Sequence, residues 1–320
     1  MPRRCRSRAL LLALCLLQAF AASAADGVDT ILFDGKGRRL EVQISAEFPP
    51  VVQANLLAWV EFIASALTQV YGHWPLREWR ITVTPATSAG ASDPIPWAEV
   101  FREQPTRVEF FTAPRATPDQ LRQAWTGYHE LAHLLIPYRG WGDAWFTEGL
   151  ASYYQNIMQA RAGVISEQQM WQKLYDGFQR GLQDPGSASM SLAQASDRMR
   201  QEGRFMRVYW SGAWYFLAAD TRLRLQSGGQ RNLDMALAEL NGCCGDQSLS
   251  VPEIVARLDQ LNRVVLFSIL YDELIVSTRV PPFESIFASL GIDVVDGEVR
   301  LQQDGPGARL RRQIATGSPL

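Results

Sequence analysis

Two of the chain's three histidines, His129 and His133, stand four residues apart in Tyr128-His-Glu-Leu-Ala-His133. On a helix this spacing sends both imidazoles out of the same side, where they can chelate one Zn²⁺. Glu130, the next residue, lies roughly 100° round the helix, beside such a metal rather than on it. There it can take a proton from water that the metal activates. A catalytic zinc needs three protein ligands and one open position. Glu148, in Trp145-Phe-Thr-Glu148-Gly-Leu-Ala-Ser-Tyr-Tyr154, can supply the third, and its apolar neighbours argue against a freely solvated face. Gly149 has no side chain and is expected to let this helix approach the histidine helix closely. Tyr209, in Val208-Tyr-Trp-Ser-Gly-Ala213, is a further candidate. A tyrosine hydroxyl can hydrogen-bond the oxyanion that forms when water attacks a carbonyl, but alone it reads as a packing residue. His73, in Tyr-Gly-His-Trp-Pro, reads as part of a turn.

Positioning these groups requires a recognisable set of elements. Residues 28–44 alternate around Asp34-Gly-Lys-Gly37 and predict a β-hairpin. A helix is expected from Pro50 to about Tyr71, with Leu56, Leu57, Val60, Ile63, Ala64, Leu67 and Val70 at helical spacing. Residues 79–84 and 107–112 read as strands, with a Pro/Ser/Ala/Gly-rich loop between them. Thr117, Pro118 and Gln120 form a capping box that opens a helix over 118–136, and Pro137 closes it. Further helices are expected near 144–162, 167–182, 204–226, 231–241, 251–275 (interrupted) and 282–290. An extended piece follows at 292–302, and the tail 304–320 reads as frayed. Strands first and helices afterwards suggest an α+β arrangement with a cleft between the two parts.

Composition narrows the function classes. The chain has 320 residues, 47% hydrophobic and 20% charged, which suits a globular protein with a core. A net charge of −2 offers no basic excess for nucleic acid. Residues 1–24 read as a signal peptide: Arg3, Arg4, Arg6 and Arg8, an apolar run from Ala9, then Ala22-Ser-Ala24. Its removal takes those arginines away and leaves a more acidic, exported protein, periplasmic or secreted, with no stable membrane insertion. Cys5 and Cys15 leave with it. Cys243 and Cys244 are neighbours and cannot staple distant elements; they form either a vicinal disulfide or two thiols.

Taken together, His129-Glu-Leu-Ala-His133, Trp145-Phe-Thr-Glu148-Gly-Leu-Ala-Ser-Tyr153 and Tyr209-Trp-Ser-Gly-Ala213 resemble the gluzincin metallopeptidases. The likeness is greatest to the glycyl-aminopeptidase family, and Val70-Tyr-Gly-His-Trp-Pro75, Ala160–Ser166 and Arg222–Gly229 also look similar in order. It spans roughly residues 50–292. The resemblance implies His129, His133 and Glu148 as zinc ligands, Glu130 as general base and later proton donor, and Tyr209 as the transition-state-stabilising tyrosine. It also implies a thermolysin-like fold, with a small β-containing lobe (25–116), a larger helical lobe (117–292) and zinc in the cleft between them. Residues 293–320 form a C-terminal extension. The strand at 107–112 is the expected edge to which a peptide could add as an extra strand.

The chain departs from the family pattern at several points. The interval from His133 to Glu148 is shorter than in the aminopeptidase-N-like branch. No Gly-x-Met-Glu-Asn-like segment precedes His129, and Ser211 stands where lysine is common. Too few residues follow Leu290 for the PDZ domain of some relatives, which suggests a stand-alone catalytic unit. The leading expectation is therefore an exported zinc metallopeptidase acting on peptides or proteins. The alternative is a non-catalytic cell-envelope binding or scaffolding protein that retains the fold; hydrolysis of a non-peptide amide or epoxide by the same site also stays open.

Overall fold

The computed structural model describes residues 27–87, 93–138, 140, 142–184, 189–203 and 205–317. The expected signal peptide, with Cys5 and Cys15, lies outside the described residues. The chain opens with β1 (Val28–Phe33), β2 (Arg39–Ile44), α1 (Pro50–Tyr71), β3 (Glu78–Pro85), β4 (Trp97–Phe101) and β5 (Thr106–Thr112). It then becomes helical: α2 (Pro118–Gln123), α3 (Trp125–Ala132), a 3₁₀ turn at His133–Leu135, α4 (Ala144–Arg161), α5 (Glu167–Leu182), α6 (Leu192–Glu202), α7 (Met206–Ser227) and α8 (Leu233–Cys244). It ends with α9 (Val251–Asn262), α10 (Phe267–Ile275), α11 (Glu284–Ser289), β6 (Ile292–Val295), β7 (Glu298–Leu301) and α12 (Pro306–Thr316). The architecture is mixed α and β, as expected.

The sheet runs in the order β1-β2-β3-β5-β4. The β1–β2 hairpin is closed by Asp34, whose Oδ1 accepts the amides of Lys36 and Arg38. Its Oδ2 accepts the Trp74 amide, which ties the hairpin to the turn containing His73. β2, β3 and β5 are mutually parallel, and β4 returns antiparallel along β5 with Glu99 opposite Glu109. The strand at 107–112 is therefore internal, and the free edge on that side is β4. This corrects the expected docking strand. β4 emerges from a segment rich in turn residues and has only five residues, so its own periodicity is too weak to announce it.

The sheet packs on α1, whose stripe of Leu56, Trp59, Val60, Ile63, Ala64 and Leu67 is fully buried. α1 is also long and apolar enough to cross a membrane by composition, with a mean hydropathy of 1.4. Its apolar side is spent on the protein's own core.

The predicted helix over 118–136 is broken. The capping box of Thr117 and Gln120 forms as expected, but Ala124 adopts an extended ψ of 121° and separates α2 from α3. The break frees carbonyls that tertiary donors then satisfy: Tyr128 Oη donates to Arg122 O at 2.8 Å, and Gln159 Nε2 donates to Gln123 O at 3.0 Å. The second donor is 36 residues away, and neither bond follows a helical or strand periodicity.

The tail also departs from expectation. Residues 306–316 form α12 with Leu310, Arg311, Ile314 and Ala315 buried, where a frayed end was predicted. Arg311 donates to Glu167 at 2.7 Å, and Arg161 donates to Ile314 O at 3.0 Å. These partners come from α5 and α4, far away in sequence. α6, unforeseen from the sequence, opens with a capping box at Ser191 and Gln194. Cys243 and Cys244 form the vicinal disulfide, one of the two possibilities left open.

α4 is the central helix. Tyr153 Oη donates to Asp220 on α7 at 2.9 Å, and Tyr154 Oη donates to Asp234 on α8 at 2.7 Å. Arg161 pairs with Asp234 at 2.8 Å and Arg224 with Asp220 at 3.0 Å, with both arginine side chains 1% exposed. Buried ion pairs are costly to break, and the Arg161–Asp234 and Tyr153–Asp220 bonds tie α4 to α8 and α7.

Candidate metal centre

α3 delivers the two histidines. His129 lies in its last turn and His133 begins the 3₁₀ turn that follows, at φ −57° and ψ −26°. The helical path therefore continues through the pair, and the rings come to 5.0 Å between centroids at 89° to one another. His129 is 4% exposed and His133 9%.

α4 delivers Glu148. Its Oε2 lies 3.1 Å from His129 Nε2 and 3.7 Å from His133 Nε2. One ligand atom from each of the three residues falls within 4.8 Å of the others, a group able to hold a metal ion. Tetrahedral zinc with bonds near 2.0–2.1 Å places its ligand atoms about 3.3 Å apart. Both distances bracket that figure, and two imidazoles with one carboxylate make a donor set typical of catalytic zinc, so the residues fit the ion.

Gly149 does permit a close approach, but not the one expected. A Cβ there would lie 2.3 Å from Gly212 Cα, so the backbones of α4 and α7 are in contact. The close helix is α7, not α3. The contact brings Tyr209 beside Glu148, and the two perturb one another's ionisation. The Tyr209 ring lies nearly parallel to His129, at 6.1 Å and 19°. Ser211, one residue before Gly212, is wholly buried in α7.

The charges match what a cation would need. Burial alone would raise Glu148, but the two histidines and the Tyr209 hydroxyl hold it down to about 2. Burial pushes His133 down to about 3, so it is a neutral imidazole with a free lone pair. A carboxylate and neutral imidazoles are the forms that bind metal; Glu148 and His133 are already in them, whereas His129, lowered by burial but raised more by Glu148 and Glu130, would give up proton affinity to a metal. Burial, helped by Glu148 and Glu99 and opposed by His129 and Arg102, raises Glu130 to about 7. A carboxyl near 7 can both take and return a proton at neutral pH.

Sequence reasoning missed three residues. Gln155 Oε1 lies 2.8 Å from His129 Nδ1. Its spacing of seven from Glu148 on one helix was a usable signal. Arg102 donates to the His133 carbonyl, and Glu99 on β4 faces the field of Glu130. Both reach the centre from the sheet, which local pattern could not foretell. Two accessible rings flank the site: Trp125, 50% exposed and edge-on to His129 at 5.3 Å, and Phe205, 37% exposed and edge-on to Tyr209 at 6.1 Å.

Residues 141–219 match the M61 glycyl aminopeptidase family. That segment holds Glu148 on α4 and Tyr209 on α7; His129 and His133 precede it. The gluzincin-like reading of the sequence thus holds over the helices that carry Glu148 and Tyr209. An aminopeptidase N family protein from Idiomarina loihiensis has a similar structure, with a TM-score of 0.63, at 15% identity over 84% of this chain and 50% of that one. A two-domain M1 zinc metallopeptidase variant bound to L-arginine gives a TM-score of 0.51, at 14% identity over 80% of this chain and 52% of that one. At these identities the likeness is one of fold, and the chain spans about half the length of those proteins. No curated protein matches the chain by sequence.

Proposed function

We propose that this protein is an exported zinc-dependent metallopeptidase, with His129, His133 and Glu148 as metal ligands, Glu130 as general base and Tyr209 as oxyanion donor. The observation that carries this reading is the convergence of those three ligand atoms within 4.8 Å, with Glu130 and Tyr209 against them. Zinc held there would polarise a peptide carbonyl and lower the pKa of water. Glu130 would accept a proton from that water and pass it to the leaving amine, a transfer suited to a carboxyl poised near neutrality. Tyr209 keeps its proton because burial and the neighbouring Glu148 push its pKa up. Its hydroxyl is therefore a permanent donor for the developing oxyanion.

In this reading the β-containing part and the helical part form the two walls of a cleft, and the substrate adds as an extended strand to β4. Export rests on residues 1–24 of the sequence, and the acidic balance of the remainder suits a peptide rather than a nucleic-acid partner. A peptide-library digest tests the proposal. Cleavage that a chelator blocks, that zinc restores and that Glu130→Gln abolishes with metal still bound is the expected result. No chelator-sensitive cleavage by the wild-type protein would favour the non-catalytic binding or scaffolding alternative.

A further inference from the structure

Gln155 sits on α4 seven residues beyond Glu148, so both side chains leave the same face of that helix. It is 9% exposed, and its Oε1 lies 2.8 Å from Nδ1 of His129. An amide oxygen can only accept, so Nδ1 must carry the imidazole proton and donate it. The other ring nitrogen, Nε2, faces Glu148 at 3.1 Å and is the atom left to meet a metal once any proton it shares with that carboxylate is displaced. The nitrogen that His129 offers to a metal is thus set by a residue outside the three-ligand group.

We propose that Gln155 is a positioning residue that fixes the tautomer and ring orientation of His129 for zinc, and that its neutral amide limits how tightly zinc is held. The inference rests on the metal-binding half of the function proposed above. A hydrogen-bond acceptor behind a metal-bound imidazole orients the ring and raises its basicity, and an anionic acceptor does so more strongly than a neutral one. Within the ligand set only Glu148 carries negative charge. A carboxylate at position 155 would add a second, at hydrogen-bond distance from the imidazole and in a largely buried place, where charges are weakly screened. The amide keeps the geometry and withholds the charge. The same imidazole meets the Trp125 edge at 5.3 Å and lies nearly parallel to Tyr209 at 6.1 Å, so packing as well as the amide restrains the ring.

The test compares wild type, Gln155→Leu and Gln155→Glu. Zinc affinity is measured by titrating each apoprotein against a chromophoric chelator at one fixed neutral pH, with far-UV circular dichroism as the check on folding. Gln155→Leu keeps the bulk of the side chain and removes the acceptor. It should bind zinc about 10- to 100-fold more weakly than wild type. Gln155→Glu should bind more tightly than wild type, an outcome that a packing role would not produce. A folded Gln155→Leu protein with wild-type affinity overturns the positioning role, and a Gln155→Glu protein no tighter than wild type overturns the role of the neutral amide. If wild type itself takes up no zinc, the proposed metal centre fails first. Zinc uptake by wild type with unchanged variants sinks only the inference about Gln155.

Discussion

Substitution of Gly149 by alanine probes the link between the helix crossing and the metal centre. An added Cβ would lie 2.3 Å from Gly212 Cα, 2.4 Å from Gly212 C and 2.8 Å from Ala213 N. Non-bonded carbons settle at about 3.5–4.0 Å, so α4 and α7 must separate by more than about 1 Å. The atoms in the way are backbone, and they cannot rotate aside. Nor can the strain pass to the partner position, because a Cβ on Gly212 would lie 1.7 Å from Trp145 O. Overpacking of this kind costs about 1–3 kcal/mol, and more where nothing can yield. An unfolding midpoint about 5–10 °C lower is expected for Gly149→Ala.

The same shift acts on chemistry. Glu148 immediately precedes Gly149, while Tyr209 sits on the helix that is pushed away. A misplacement of about 1 Å costs on the order of 10²-fold in rate, so peptide turnover should fall by that factor even in the fraction that folds. Calorimetric melting of the apoprotein and zinc-loaded protein, paired with turnover of a cleaved peptide, measures both effects. Gly242→Ala on α8 is the control, since nothing lies within 4 Å of its added Cβ. Wild-type melting and wild-type turnover in Gly149→Ala would refute the reasoning.

Tyr209→Phe should lower kcat by about 10²–10³-fold with little change in KM, because the lost hydrogen bond matters only in the transition state; an equal rise in KM would point to ground-state binding instead. Removal of zinc should lower the melting temperature, since a ligand at about 1,000 times its Kd stabilises the folded state by about 4 kcal/mol. Melting curves that coincide with and without chelator would contradict the site. Asp234→Ala leaves Arg161 buried without its ion-pair partner and frees the Tyr154 hydroxyl. A loss of about 3–5 kcal/mol in denaturant unfolding is expected, and a loss under about 1 kcal/mol would show that the network does not hold α4 in place.

Much of this architecture was legible locally. α1 occupies residues 50–71 as its periodicity predicts, and α4, α5 and α7 start and stop within about two residues of expectation. The capping box at Thr117 is present, and the interruption in 251–275 is real. Asp259 makes that interruption by accepting the amides of Leu266, Phe267 and Ser268 at the start of α10. What escaped was set by distant partners. The break at Ala124 depends on donors from α3 and α4, and α12 is ordered by Glu167 and the Ile314 carbonyl meeting buried arginines. β4 pairs with β5 through backbone hydrogen bonds that carry no side-chain signature.

The sequence by itself determined the candidate ligand pair. A spacing of four on a helix is a property of helical geometry, and it needs nothing from the rest of the chain. The identity of Glu148 as the third member followed from its place on the next helix among apolar neighbours. Only the tertiary structure decided how these groups meet: that Gly149 opposes Gly212, that Tyr209 lies beside Glu148, that Gln155 stands behind His129, and that β4 rather than β5 is the free edge. Those relations depend on how helices cross and strands pair, and such contacts form between residues tens of positions apart, where local periodicity holds no information.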